Sequence, residues 1–391
     1  MSDRRRDAQD GFEGALGSDR VTEEATEILR EIDHAAALLG ELLGEAEPGR
    51  RRLVDEQPRF RALMLCNLLL DRSREAGFTD PGLAVELAEL AVTVSGRLDA
   101  EHYGEALVAD ARARAWGHLA NAFRIASDLR RAEEALHKAE EHHRQGGEDA
   151  YTGAEILGFT ASVRNAQGRY EEAAALIDRS IEVYREARDH HREGKALILK
   201  GTSLSYAGRH AKAIQLVRQG LAKIDIYEEP RLLVSARHNL IGYLNEVGRH
   251  EEALRTLSET RGLYLQLGER TPLVRLRWLE GKILRDLSRA EEAETAFREV
   301  RDELIGLNLG LDAALVSLDL AMILLDRGDA GELKRLAAEM IPVFESRDDQ
   351  RKALAAFLLF QKAAEAEQVT FALLQEVSTS LERTRRAGER G

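Results

Sequence analysis

Small and apolar residues return along this chain at the three- and four-residue spacing of one helix face. The faces come in pairs, separated by short polar turns. The clearest turn is Gly168-Arg169-Tyr170-Glu171-Glu172-Ala173, which returns as Gly208-Arg209-His210-Ala211-Lys212-Ala213 and Gly248-Arg249-His250-Glu251-Glu252-Ala253. Weaker copies are Leu287-Ser288-Arg289-Ala290-Glu291-Glu292-Ala293 and Arg327-Gly328-Asp329 leading to Leu333. Their closing residues, 173, 213, 253, 293 and 333, lie 40 apart, and Ala132 in the copy upstream is offset by 41. A fixed period of this size predicts a solenoid of one repeated helix pair.

Each copy predicts a tight turn between two antiparallel helices. The glycine ends the first helix in a left-handed conformation, and the Glu-Glu pair opens the next helix at the positive end of its dipole. A second small position lies twelve residues before the closing residue: Ala120, Ala161, Gly201, Ile241, Gly281 and Ala321. A third lies seven after it: Ala139, Ser180, Gly220, Thr260, Val300 and Met340. Large residues, among them Leu136, Ile177, Val217, Leu257 and Phe297, fill between them, so the helices can interdigitate. In the sixth repeat Leu333 and Met340 replace small residues, which predicts looser or shifted packing there.

The flanking chain also reads as helical. Residues 1–19 are polar and predicted to be a disordered tail. Thr22-Glu23-Glu24 opens a helix running to about Glu45, stopped by Glu47-Pro48-Gly49 and followed by a basic Arg50-Arg51-Arg52 turn. Residues 20–57 read as an N-terminal cap or a separate interaction element. Residues 58–97, with helices from Pro58 to about Gly77 and from Pro81 to Gly96, read as a degenerate repeat. Asp80 before Pro81 is the expected cap. Six regular repeats fill 98–346, the first helix starting near Glu101. A capping pair occupies 347–386 and a short tail 387–391.

Trp116, Leu119, Ala120, Phe123, Ala132, Leu136 and Ala139 fall at the signature spacings of the tetratricopeptide repeat. The chain resembles that family over roughly residues 100–346, in a long form of 40 residues per repeat. That form is similar to Pins-type adaptors and to bacterial stand-alone repeat proteins. The resemblance implies an all-α, right-handed superhelical solenoid whose first helices line a concave face. It also implies ligand-facing positions: Arg114, Asn121 and Arg124 in the first repeat; Asn165 in the second; Lys195, Thr202 and Ser205 in the third; His238, Asn239 and Asn245 in the fourth; and Arg275, Trp278, Lys282 and Arg285 in the fifth. Trp278 suits core and groove alike. Gly117 stands where the family's carboxylate clamp has lysine, which argues against capture of a C-terminal carboxylate by that mechanism.

Composition narrows the function. The chain of 391 residues has 32% charged residues, 6 prolines and a net charge of -13. This fits a helical array and argues against direct nucleic-acid binding. Cys66, the one cysteine, excludes an internal disulfide. There is no apolar leader after Met1 and no run long enough to span a bilayer, so the expectation is a cytoplasmic protein with no membrane partner.

Candidate chemistry is sparse. Glu193-Gly194-Lys195 lacks the rest of a phosphate-binding loop. His142-His143 and His190-His191 are adjacent pairs that point apart on a helix. Glu133-Glu134, Glu171-Glu172, Glu251-Glu252 and Glu291-Glu292 read as one recurring first-turn position. No catalytic, cofactor or metal site is expected.

Between residues 111 and 286 the first helices carry Arg112, Arg164, Lys200, Arg237 and Arg277 besides the candidates above, against Glu155, Glu246, Glu280 and Asp286. That surplus predicts a basic groove for an acidic peptide or protein segment. The expected function is a non-enzymatic scaffold or adaptor. The alternative is a peptide-responsive regulator that changes superhelical shape and controls a separate effector. End helices are the surface on which two copies could pair.

Overall fold

The structure is a computed structural model describing residues 33–345 and 351–388, apart from residues 148, 226 and 228. The predicted N-terminal tail and the first half of the helix opened at Thr22 lie outside the described residues. Among those described, every regular element is helical. The chain divides into two compact units, Met1–Phe159 and Thr160–Gly391.

The first unit holds α1 (33–44), α2 (Glu47–Glu56), a 3-10 turn (Pro58–Phe60), α3 (Leu63–Ala76), α4 (Pro81–Gly96), α5 (Ala100–Tyr103), α6 (Glu105–Ile125), α7 (Leu129–Gln145) and the start of α8 (Ala150–Ala166). Four expectations need correction. The Arg50-Arg51-Arg52 stretch is helical, because Pro48 sits in the first turn of α2 and starts a helix as well as ending one. Arg50 and Arg51 pair with Glu86 at 2.8 Å and Glu89 at 3.1 Å, tying α2 to α4. The helix expected from Pro58 is broken at Arg61 and Ala62, where Phe60 is wholly buried, and the one expected near Glu101 is broken at Gly104, with φ at +85°. Glu133 and Glu134 do not share the first-turn position; Asp128 caps α7 and its first turn has no acid.

Asp80 accepts from the backbone N–H of Leu83 at 3.0 Å, as its place before Pro81 predicts. Cys66 is buried, and burial pushes its thiol up to about 12, which keeps it an unreactive core group.

The second unit continues α8 and adds α9 (Tyr170–Glu186), α10 (His190–Tyr206), α11 (His210–Leu221), α12 (Pro230–Glu246), α13 (His250–Leu267), α14 (Arg270–Asp286), α15 (Ala290–Gly306), α16 (Gly310–Arg327), α17 (Ala330–Glu345), α18 (Arg351–Glu365) and α19 (Phe371–Gly388). Gly168, Gly208, Gly248 and Gly328 take φ values of 75 to 80°, and Ser288 takes the same role at 60°. In each turn the residue after the left-handed position bonds back five residues, as Arg209 N–H does to Leu204 O at 2.8 Å and Arg289 N–H to Leu284 O at 2.9 Å. Such bonds satisfy carbonyls that a helix end leaves open. The Glu pairs also hold the turn arginines: Glu292 accepts from Arg289, and Glu172 from Arg164 and Arg169.

The three small columns are buried throughout the repeats. At Gly281 an added Cβ would lie 2.6 Å from the Phe297 ring, and at Gly220 it would lie 2.6 Å from the Gly194 carbonyl oxygen. The helix pairs therefore approach to a distance no side chain permits. In the sixth repeat Leu333 and Met340 are buried instead, and α16 meets α17 more sparsely than α10 meets α11 or α14 meets α15. The second face of α16 is taken by α19. Residues 312–320 are buried without interruption, and Leu374, Val377 and Leu381 join the same core. α19 runs to Gly388, past the end expected at 386.

The candidate first-helix binding face

In the second unit, the first helices α10, α12, α14 and α16 each touch the next. Their outward residues form a continuous polar surface crossed by contacts at the repeat spacing. Asn165 Nδ2 donates to Ser203 Oγ at 2.9 Å, the Tyr243 hydroxyl reaches Thr202 at 3.5 Å, and Asn245 Nδ2 donates to Asp286 at 2.7 Å. Ser205 lies 3.0 Å from His210 Nδ1, and His250 Nδ1 donates to the Asn245 side-chain oxygen at 2.8 Å.

The cations on this face are paired. Lys195 meets Glu229, and Arg275 meets the buried Asp312 at 3.2 Å. Arg285 meets Asp319 at 2.8 Å and its neighbour Asp286 at 3.1 Å, and Lys282 stands 3.7 Å from Asp319. Away from the candidates, Lys200 pairs with Asp178 and Arg277 with Glu280 and Glu299. The positive surplus read from the first helices is thus met largely by carboxylates. Asp312 and Asp319 stand on the helix beyond residue 286, and Glu229 lies just before α12.

Trp278 belongs to the core. It is 7% exposed, donates its indole N–H to Asp319 at 2.7 Å, and carries Lys282 4.9 Å above its ring. The contact supplies the partner a buried indole needs.

α12 differs from its neighbours. Ser235 is exposed and Asn239 part-buried, and neither has a hydrogen-bond partner among the described residues. Arg237 buries its Nε without an acceptor. A Cβ at Gly242 would meet nothing within 4 Å. His238 Nδ1 lies 2.8 Å from the hydroxyl of Tyr264, which is 2% exposed. That phenol has no other acceptor among the described residues, and leaving its hydrogen unpaired would cost about 1–3 kcal/mol. Tyr264 therefore donates to Nδ1, and His238 carries its proton on Nε2. Burial, helped by the charge of Arg275, lowers the His238 pKa to about 4. Burial also raises that of Tyr264. Both rings stay neutral near pH 7.

The first unit carries the other candidates. Arg114 and His118 both approach Glu155, each at 3.3 Å, and Arg114 also reaches Asn67 at 3.5 Å. Burial alone would raise the Glu155 carboxyl, but the hydrogen bond and charge of His118 and then those of Arg114 outweigh it and hold the carboxyl at about 2. Arg124 Nε donates to Asn121 at 3.0 Å. Gly117 lies against Phe159, its absent Cβ 2.8 Å from the ring, so a lysine in that place would collide.

The histidine pairs point apart. His143 faces Asp110 at 3.8 Å, and His190 faces Glu193 at 3.9 Å. His191 accepts the Asp225 N–H at 2.9 Å. Among the described residues no group of three potential ligands could hold a metal ion, and no helix is long and apolar enough to cross a membrane.

Residues 154–223 match the family described as Tetratricopeptide repeat. No curated protein matches the chain in sequence. Among solved structures it is similar to a Rap protein complexed with Competence and Sporulation Factor, at 14% identity over 84% of this chain and 89% of that one, with a TM-score of 0.58. It is also similar to the apo form of RapI, at 13% identity over 95% and 99%, with a TM-score of 0.55. A third likeness is aspartyl phosphate phosphatase F from Bacillus subtilis, at 12% identity over 72% and 71%, with a TM-score of 0.51. At such identities these likenesses speak for the fold. With the helix pairs and the buried small columns, they establish the fold: the described residues form an all-α array of helix pairs like that of tetratricopeptide repeats, with the family model matched over residues 154–223.

Proposed function

We propose that this protein is a non-enzymatic interaction module that holds a peptide or protein segment on the first-helix face of its second unit. The observation that carries the reading is the polar surface running from Asn165 through Thr202 and Asn245 to Arg285, in register with the repeat. A preformed polar face lowers the ordering cost of binding an extended chain. The Rap structure of the same fold, solved with Competence and Sporulation Factor, supports this reading by analogy only. The same limit applies to the phosphatase likeness, since chemistry belongs to sites and not to folds.

The finer expectation of an acidic ligand keeps one support. Arg275 and Lys195 stay 45% and 35% exposed beside their carboxylates and could exchange them for a ligand's. The alternative, a peptide-responsive regulator, draws on the polar contacts that run from α12 through α14 to α16, because a ligand that reorders Asn245 or Arg285 would be felt at Asp319.

The test is selection of random dodecapeptides displayed on phage against the whole protein, followed by affinity measurement on single variants. Thr202→Val and Asn245→Ala, which cut the Thr202–Tyr243 and Asn245–Asp286 contacts that preorganise the face, should weaken binding about tenfold. Arg179→Ala and Arg255→Ala, exposed on second helices, should leave it unchanged. The reverse pattern would place binding on the other face.

A further inference from the structure

Resting on that reading, we infer that α12 is where the ligand's backbone is read, through the Nε2–H of His238, the Asn239 amide and the Ser235 hydroxyl, with Tyr264 as the positioning residue. Along the first-helix face of the second unit, most other candidate polar groups satisfy one another: Thr202, Ser205, Asn245 and the four cations all have partners, and Asn165 donates to Ser203 while its own side-chain oxygen is buried unmet. Unmet hydrogen-bonding capacity gathers on α12. A surface that has spent its donors and acceptors gains little from a ligand, whereas one that has not can form new bonds without breaking old ones.

The chemistry of the occupant follows. His238 offers a neutral donor, which suits a carbonyl oxygen. Asn239 offers a donor and an acceptor together, which suits a peptide unit. Apart from Arg237, whose Nε is buried, the cations flanking the site are closed in the ion pairs Lys195–Glu229 and Arg275–Asp312, so they present little unbalanced charge to a ligand. Gly242 leaves open space on the same helix, room for a main chain to lie close. The occupant is thus a stretch of extended peptide with uncharged side chains over α12, held by its main chain.

The groups around His238 fix its response to pH. Tyr264 on α13 donates to Nδ1, Arg275 on α14 adds positive charge, and Arg237 is its neighbour on α12. Burial of the ring opposes its protonation first, and the charge of Arg275 adds to it. Binding through Nε2–H is therefore constant between pH 5.5 and 7.5, and removing the phenol frees the tautomer and weakens that donor at every pH in the range.

The experiment uses the 15N-labelled whole chain and a dodecapeptide selected from the phage library at pH 7.5. Long-range 15N–1H spectra should show His238 as the Nε2–H tautomer, untitrated from pH 8 to 5.5, and Tyr264→Phe should give mixed tautomers of a ring that still stays neutral across that range. Peptide affinity should change less than twofold across that range for the natural protein, and Tyr264→Phe, which frees the tautomer, should weaken it at least fivefold at pH 7.5. Asn239→Ala should weaken binding tenfold or more with no change in the histidine spectrum. An Nδ1–H tautomer overturns the role of Tyr264. Binding that responds to Asn245→Ala but not to Asn239→Ala or Ser235→Ala overturns the α12 site while leaving the first-helix face standing. Binding indifferent to all three overturns the face itself.

Discussion

The indole N–H of Trp278 donates to Asp319 at 2.7 Å, across 41 residues of sequence. The same carboxylate receives Arg285 at 2.8 Å and faces Lys282 at 3.7 Å. Asp319 is 7% exposed, so removing it strands a buried indole N–H and an arginine together. Asp319→Ala should destabilise the second unit by about 3–5 kcal/mol, the range for breaking a buried pair from one side. Urea unfolding followed by tryptophan fluorescence would show it, and a loss under 1 kcal/mol would mean that solvent replaces the carboxylate freely.

The close crossing of α10 and α11 makes a second expectation. Gly220→Ala would put a Cβ 2.6 Å from the Gly194 carbonyl oxygen, which backbone cannot yield cheaply. The loss should be about 1–3 kcal/mol or more. Gly262→Ala, on α13 with nothing within 4 Å, should instead stabilise by about 1 kcal/mol through helix propensity. Thermal unfolding of the two variants should move in opposite directions.

The turns give a matched pair of changes. Ser288 holds φ at 60° where its counterparts are glycine, and Gly248 holds 76°. Ser288→Gly should gain roughly 1 kcal/mol by relieving a left-handed serine, and Gly248→Ala should lose about as much. Equal shifts of the same sign in melting temperature would contradict the strain assigned to this position.

Acid should weaken the fourth repeat through His238. The unfolded chain takes up this proton near the ordinary value of 6.5, while the folded chain resists it until about 4. Stability from this group is therefore complete above pH 6.5 and falls as the pH drops toward 4, by at most about 3 kcal/mol. His238→Gln should flatten that part of the stability profile against pH. An unchanged slope would assign the acid sensitivity to other groups.

The repeat itself was legible in the sequence because backbone geometry imposes it. A left-handed turn wants glycine and a close crossing wants a small residue, so both leave a mark every 40 positions. The same turns were harder to read where Ser127 and Ser288 replace glycine, and at the inter-repeat position, where Arg188, Gly268 and Asn308 share positive φ but no residue type. The face was legible by position and misread in charge. Arg114, Asn245 and Trp278 each meet a residue on the first helix of the next repeat, at Glu155, Asp286 and Asp319, 41 positions later. A pairing by period would have found them, whereas a count of charges ending at residue 286 omitted Asp312 and Asp319. The role of Tyr264 left no mark, since it depends on a phenol from a second helix reaching a first-helix histidine.

The most direct test of the central claim is photocrosslinking in the native lysate from two positions of the whole protein. A benzophenone amino acid would replace Gly242 on α12 or Gly262 on α13. Both positions leave open space beyond the backbone, so both should accept the probe without unfolding. Binding on the first-helix face predicts that Gly242 captures a peptide or protein partner and that Gly262 does not. Capture from Gly262 alone would contradict it and move the binding surface to the second helices.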